Sequence, residues 1–190
     1  MTSFIYSTAV TLDGFIADPE HSLEWLFAVD STDAGGDDLL ETSGALVMGS
    51  HTYEWLLGHE EVLDHPEKWF GFYGGRRVFV FSTRDLPIPT DADVRLLRGS
   101  VADALPAIRE AAGESKVWLI GGGDLVGQFA DAGALDEIEV NLAPVLLGGG
   151  APLLPRRIES DRLRLVNAAR HGQFVTLRYE LTRPSTSGTD

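Results

Sequence analysis

Lys116–Phe129 (KVWLIGGGDLVGQF) is the stretch on which the reading of the fold turns. Val117, Trp118, Leu119 and Ile120 make a short apolar run, three glycines follow, and Leu125, Val126 and Phe129 then recur at helical spacing. A buried strand that passes through a tight glycine turn into a helix marks a ligand-binding crossing point in an α/β sheet. Without a Cβ at Gly121, Gly122 or Gly123 the backbone can come close to a ligand. The helix that begins there offers free N–H groups and the positive end of its dipole, which suit a phosphate or diphosphate. A turn whose glycines only relieve crowding has the same spacing, and the run matches neither GxGxxG nor the phosphate-loop GxxxxGK pattern.

Working towards the N-terminus, the same unit recurs. Ala45–Met48 is a short strand that ends in Gly49, and Ser50-His51-Thr52 leads into a helix with Tyr53, Leu56 and Leu57 on its apolar face. Ser50 or Thr52 can cap that helix, and the same N–H groups could hold a phosphate. Arg77–Phe81 (RVFVF) is a strand with Ser82-Thr83-Arg84 at its tip, Val94–Leu97 is another, and Val101–Ala112 is an amphipathic helix. Phe4–Val10 (FIYSTAV) is β-rich and reads as a central strand placed early. Asp13-Gly14 after it is either a plain turn or part of a loop that folds over a planar ligand with Trp25 as a wall. Ser31–Glu41 is acidic, and Asp33, Asp37 and Asp38 there serve either a helix start or a substrate pocket.

Recurring βα units through Ala132 predict a mostly parallel sheet covered on both faces. Beyond that point Asp136–Ala143, Arg162–Ala169 and Gln173–Leu181 are β segments without helices, which predicts an antiparallel edge with a hairpin about His171-Gly172. The second glycine run, Leu147–Gly150, lies between β segments and reads as a bulge or a close strand crossing. One domain over 1–182 and a flexible tail over 183–190 are expected.

The chain has 190 residues, enough for a core without staples, with 44% hydrophobic and 23% charged residues. Fifteen basic and 29 acidic residues give a formal charge of −14, which argues against nucleic-acid and anionic-membrane partners. There is no cysteine, so thiolate chemistry and disulfides are excluded. No histidine pair has a metal-ligand spacing, no GxSxG occurs, and no segment has membrane-spanning length; no metal is expected, and a cytoplasmic location is. Three strand-tip segments without a nucleophile fit hydride transfer, in which a cofactor brings the reactive group.

Four pieces, STAVTLDGFIA, VMGSHTYE, VFVFSTR and KVWLIGGGDLVGQF with its trailing NLAPVLLGGGAPLLP, resemble the dihydrofolate reductase superfamily. LDGFIA and PVLLGGGAPLL resemble the branch that contains the reductase domain of bacterial riboflavin biosynthesis. The resemblance covers residues 4–155. It implies a three-layer αβα fold with a mostly parallel mixed sheet, NADPH along the carboxyl edge of the strands, a cis peptide at Gly121–Gly122, and a homodimer. It implies hydride transfer to a ribosylamino-pyrimidine phosphate or a related small heterocycle. Dihydrofolate reduction, or nucleotide binding without turnover, are the competing readings.

Residue by residue, the resemblance places Gly49, Ser50, His51 and Thr52 at the cofactor's phosphates and Ser82, Thr83 and Arg84 at its adenine and ribose 2′-phosphate. Gly121, Gly122, Gly123, Asp124 and Leu125 fall at the diphosphate and nicotinamide turn. Ala9 and Val10 match backbone that lines the nicotinamide, and Asp13 and Gly14 match the loop between nicotinamide and substrate, with Trp25 closing that loop. Asp37, then Asp33, are the candidates for the proton-handling acid, with Asp13 nearby. Ser50 stands where many members carry an arginine for the 2′-phosphate, so NADPH preference rests mainly on Arg84.

Overall fold

The computed structural model describes residues 2–30 and 39–182. Asp33, Asp37 and the expected tail therefore lie outside the described residues. In chain order the elements are β1 (Phe4–Thr11), β2 (Phe15–Ala17), α1 (Glu24–Phe27), α2 (Leu39–Thr42), β3 (Ser43–Gly49) and α3 (Ser50–His59). Next come α4 (Pro66–Tyr73), β4 (Arg77–Phe81), β5 (Val94–Leu97), α5 (Val101–Ala112), β6 (Lys116–Gly121) and α6 (Gly123–Asp131). The chain closes with β7 (Glu137–Ala143), β8 (Ala151–Pro152), β9 (Leu163–His171) and β10 (Phe174–Leu181).

Eight strands form one sheet in the order β5-β4-β3-β6-β1-β7-β10-β9, and β2 pairs with β8 apart from it. The first six are mutually parallel. The expected antiparallel edge is one strand shorter than the sequence suggested, because β7 joins β1 in parallel and only the β9–β10 hairpin reverses. The cause is α6, which carries the chain from β6 across β1 to the far side before β7 begins, as a parallel crossover requires.

Strand alternation divides the core. Ala45 and Val47 of β3, with Val117 and Leu119 of β6, face the cluster that buries Leu105 and Ile108 of α5 and Val126 and Phe129 of α6. Leu46 and Met48, with Trp118 and Ile120, face the opposite cluster, which buries Tyr53, Leu56 and Leu57 of α3 and Trp69 of α4. The result is a three-layer α/β fold with α5 and α6 on one face and α3 and α4 on the other. From β3 the chain winds through α3 and α4 to β4, and from β6 it winds the other way through α6 to β7. The boundary between β3 and β6 is thus the switch point at which a crevice opens at the carboxyl ends of the strands. No helix among the described residues is long and apolar enough to cross a membrane.

Candidate functional site

At the switch point two helices begin side by side. β3 runs through Gly49 into α3, and its neighbour β6 runs through Gly122 into α6; in neither helix does a side chain cap the first turn. Ser50 and Thr52, expected as possible caps, make no cap bond, so the leading N–H groups of both helices stay unsatisfied by side chains. A Cβ at Gly49 would stand 3.6 Å from the Gly122 nitrogen, within the gap between the two starts. The peptide between Gly121 and Gly122 is cis, where the resemblance places it.

The three glycines of the run differ in what they do. At Gly122 an added Cβ meets nothing within 4 Å, so that backbone faces open space. At Gly121 φ is +153°, and a Cβ would reach Thr52 Oγ1 at 3.4 Å. At Gly123 a Cβ would collide with the carbonyl oxygens of Pro152 and Leu153 at 2.4 and 2.5 Å. Gly123 therefore lets its own chain pack closely. Gly150 does the same for the second glycine run, with a Cβ position 2.1 Å from the Ala17 oxygen where β8 crosses β2.

A cleft of about 460 Å³ lies over these turns. Gly49, Ser50, His51, Thr52, Gly121, Gly122, Gly123, Asp124 and Leu125 all line it, so the structure brings together the two strand-to-helix segments singled out from the sequence. Thr8, Ile16, His21, Leu23, Trp55, Leu56 and Gln128 line it as well, and sequence reasoning missed them in this role. Trp55 was legible as the residue one helical turn beyond His51. Burial pushes up the pKa of the Tyr73 phenol at the same cleft, with Glu60 adding to the effect, so that hydroxyl stays neutral.

Other expected residues are not among those that line this cleft. Alternation along β1 sends Thr8 to the cleft, packs Ala9 beside Trp25 and Ala143, and buries Val10 in the α5–α6 core. Trp25 is buried against Ala143 and Phe174, and its Nε1 has no hydrogen-bond partner among the described residues. The Asp13 carboxylate accepts from Thr11 Oγ1 at 2.6 Å and from the N–H groups of Leu147 and Gly148 at 3.0 and 2.7 Å. The Thr11 hydroxyl, helped by those backbone donors, holds its pKa below the usual carboxylate value. Asp13 thus ties the loop after β1, at its Gly14 turn, to the second glycine run.

At the tip of β4 the Ser82 hydroxyl accepts from the Arg84 N–H at 3.0 Å and donates to the Arg84 carbonyl at 2.9 Å, which shapes the turn. Thr83 is exposed, and Arg84 Nη2 pairs with Glu54 Oε2 of α3 at 2.5 Å. Arg84 is thus a guanidinium beside α3 that already has a carboxylate partner.

The model of the RibD C-terminal domain family matches residues 2–177. The chain belongs to the RibD C-terminal domain family. It is 31% identical over 172 residues to the uncharacterized protein YwjB of Bacillus subtilis strain 168, covering 90% of this chain and 93% of YwjB. Among solved structures it is similar to a putative riboflavin biosynthesis protein from Shewanella sp. PV-4, with TM-score 0.75, 27% identity, and coverage of 95% and 99% of the two chains. It also shares the fold of a diaminohydroxyphosphoribosylaminopyrimidine deaminase/5-amino-6-(5-phosphoribosylamino)uracil reductase from Thermotoga maritima. That likeness has TM-score 0.65 and 18% identity, and covers 95% of this chain and 57% of the other. In this RibD C-terminal domain the cleft at the β3–β6 switch point is the candidate active site of an oxidoreductase.

Proposed function

We propose that the protein is an NADPH-dependent reductase that transfers hydride to a ribosylamino-pyrimidine or a related small heterocycle. One observation carries this reading: two uncapped helix N-termini meet at one sheet crevice with the open backbone of Gly122 between them. A diphosphate suits that cradle in charge, since paired N–H groups and helix dipoles favour an anion, and a Cβ at Gly49 would stand 3.6 Å from the Gly122 nitrogen, between the two helix starts.

Bound NADPH would supply the hydride. The residues of this chain would do the rest. The N–H groups that lead α3 and α6 would hold the diphosphate, with the Thr52 hydroxyl beside Gly121 and His51 on the cleft wall. Arg84 would meet the ribose 2′-phosphate, in competition with Glu54. Asp37 or Asp33 would handle the proton. Asp13 would instead hold the loop after β1 in place as an ionised carboxylate. The protein would work as a cytoplasmic homodimer.

The test is a turnover assay that follows loss of NADPH absorbance with 5-amino-6-ribosylamino-uracil, its phosphate and dihydrofolate as acceptors. Oxidation that depends on one acceptor and disappears in Asp37→Asn and Asp33→Asn together supports the reading. NADPH binding without oxidation by any reducible heterocycle would leave a nucleotide-binding protein and remove the reductase.

A further inference from the structure

The reductase reading leaves the acceptor open, and the charges around the cleft narrow it. Among the described residues that line the cleft the ionisable side chains are His21, His51, Tyr73 and Asp124; none is lysine or arginine. Cations on elements beside the cleft have partners: Arg76 donates to the Ser43 and Tyr73 carbonyls. Arg84 pairs with Glu54, and Arg156 bridges Asp131 at 2.8 Å and Asp124 at 3.1 Å, which raises its own pKa further. Residues 31–38 contain Asp33, Asp37 and Asp38 and no lysine or arginine. The last described strand, β10, ends with the Leu181 N–H bonded to the Asp136 carbonyl, at the start of β7 and so at the sheet edge opposite the cleft. The protein as a whole carries −14.

Among the described lining residues the anion-binding capacity of this cleft consists of the two helix N-termini, which a cofactor diphosphate uses. Arg84, outside the lining, is taken by Glu54 or by the cofactor's own 2′-phosphate. A second anion, such as a substrate phosphate or carboxylate, would enter a negative site with no guanidinium or ammonium to meet it, an unfavourable arrangement.

The wall beyond the helix starts has a different character. His51, Trp55 and His59 fall four residues apart on α3, and each ring is stacked by one from the segment before β3. His21 lies on His51 at 5.2 Å between centroids, and Phe27 lies on His59 at 5.3 Å and on Trp55 at 6.2 Å. Trp55 stacks on His59 at 4.5 Å while lining the cleft beside Leu23 and Leu56. A ladder of near-parallel rings with aliphatic neighbours offers π-surface and apolar contact to a flat molecule.

We propose that the hydride acceptor is an uncharged planar heterocycle seated against Trp55, and that phosphorylated or carboxylate-bearing forms of the same ring are rejected. This rests on the reductase reading, in which the diphosphate of NADPH occupies the helix starts.

The test uses a matched pair, neopterin and its monophosphate ester, titrated into the full chain saturated with NADP+ and read by pterin fluorescence. Affinity for NADP+ is measured first on the same protein, so that failure of the cofactor reading is seen separately. Neopterin is expected to bind at least tenfold more tightly than the monophosphate. Trp55→Ala is expected to lower neopterin affinity about tenfold, the scale of losing one aromatic stacking platform. Trp55→Arg, which replaces the ring by a cation, is expected to reverse the preference in favour of the monophosphate. Equal or tighter binding of the monophosphate by wild type overturns the proposal. So does binding of neither pterin at millimolar concentration, or an unchanged preference in Trp55→Arg.

Discussion

Replacing Gly123 and Gly122 one at a time by alanine should separate folding from binding within a single glycine run. At Gly123 the new methyl carbon would lie 2.4 Å from the Pro152 oxygen and 2.5 Å from the Leu153 oxygen. Both obstacles are backbone atoms. They are fixed by the β2–β8 pairing and by the Leu153 N–H bond to the Gly14 carbonyl at 2.9 Å, so neither can rotate away as a side-chain tip could. The methyl is relieved only by shifting α6 or the 151–153 segment, an overpacking cost of about 1–3 kcal/mol. For a chain of 190 residues that corresponds to a fall in Tm of about 3–10 °C. At Gly122 the methyl meets nothing within 4 Å and φ is −83°, so the change in Tm should be much smaller. The same methyl would stand in the space a diphosphate needs, and NADPH affinity should drop about tenfold or more, about 1.4 kcal/mol. Thermal unfolding followed by circular dichroism, with calorimetric titration of the folded proteins, reads both effects. Gly123→Ala melting with wild type, or Gly122→Ala binding NADPH as wild type does, would refute the division of labour.

In the proposed reading the Arg84–Glu54 pair would set cofactor choice: Arg84→Ala should reduce the preference for NADPH over NADH roughly tenfold to a hundredfold, the scale of a charged hydrogen bond. Glu54→Gln should raise that preference by freeing the guanidinium, and dissociation constants that change equally for both cofactors would assign the pair to packing alone. Asp13 is held ionised by Thr11 and the 147–148 backbone, so its folded pKa is below the unfolded value near 3.9. Its stabilisation is complete above that value and fades as pH falls through the folded pKa; the Tm gap between wild type and Asp13→Asn should be widest near neutrality and close at strongly acid pH. A gap that widens on acidification would reverse the assignment. At the outer edge β9 leaves Leu165 and Val166 exposed at 51% and 37%, a surface suited to a second copy. Light scattering should report a dimer at micromolar concentration and a monomer for Val166→Lys, whereas a monomeric wild type would reject the interface.

Elements with a strong period were legible in the sequence. The helix over Val101–Ala112 and the β6–α6 turn were readable because apolar spacing and glycine punctuation agree locally. The pairing of β7 was not readable, since an alternating strand carries no mark of its neighbour's direction; the crossover of α6 decides it. The role of Gly123 was equally hidden, because a glycine that admits its own chain and one that admits a ligand have the same local signal. The stacks between the 18–28 segment and α3 depend on contacts across about 30 residues, which spacing alone does not disclose.

The central claim is that the paired helix starts at Gly49 and Gly122 hold the diphosphate of a nicotinamide cofactor. Calorimetric titration of wild type with NADPH tests it most directly, with Gly49→Ala in parallel, whose methyl would stand between the two starts, 3.6 Å from the Gly122 nitrogen. The account predicts one NADPH per chain at micromolar affinity and at least a tenfold loss in Gly49→Ala. No heat of binding at millimolar NADPH, or equal affinity in the two proteins, would contradict it.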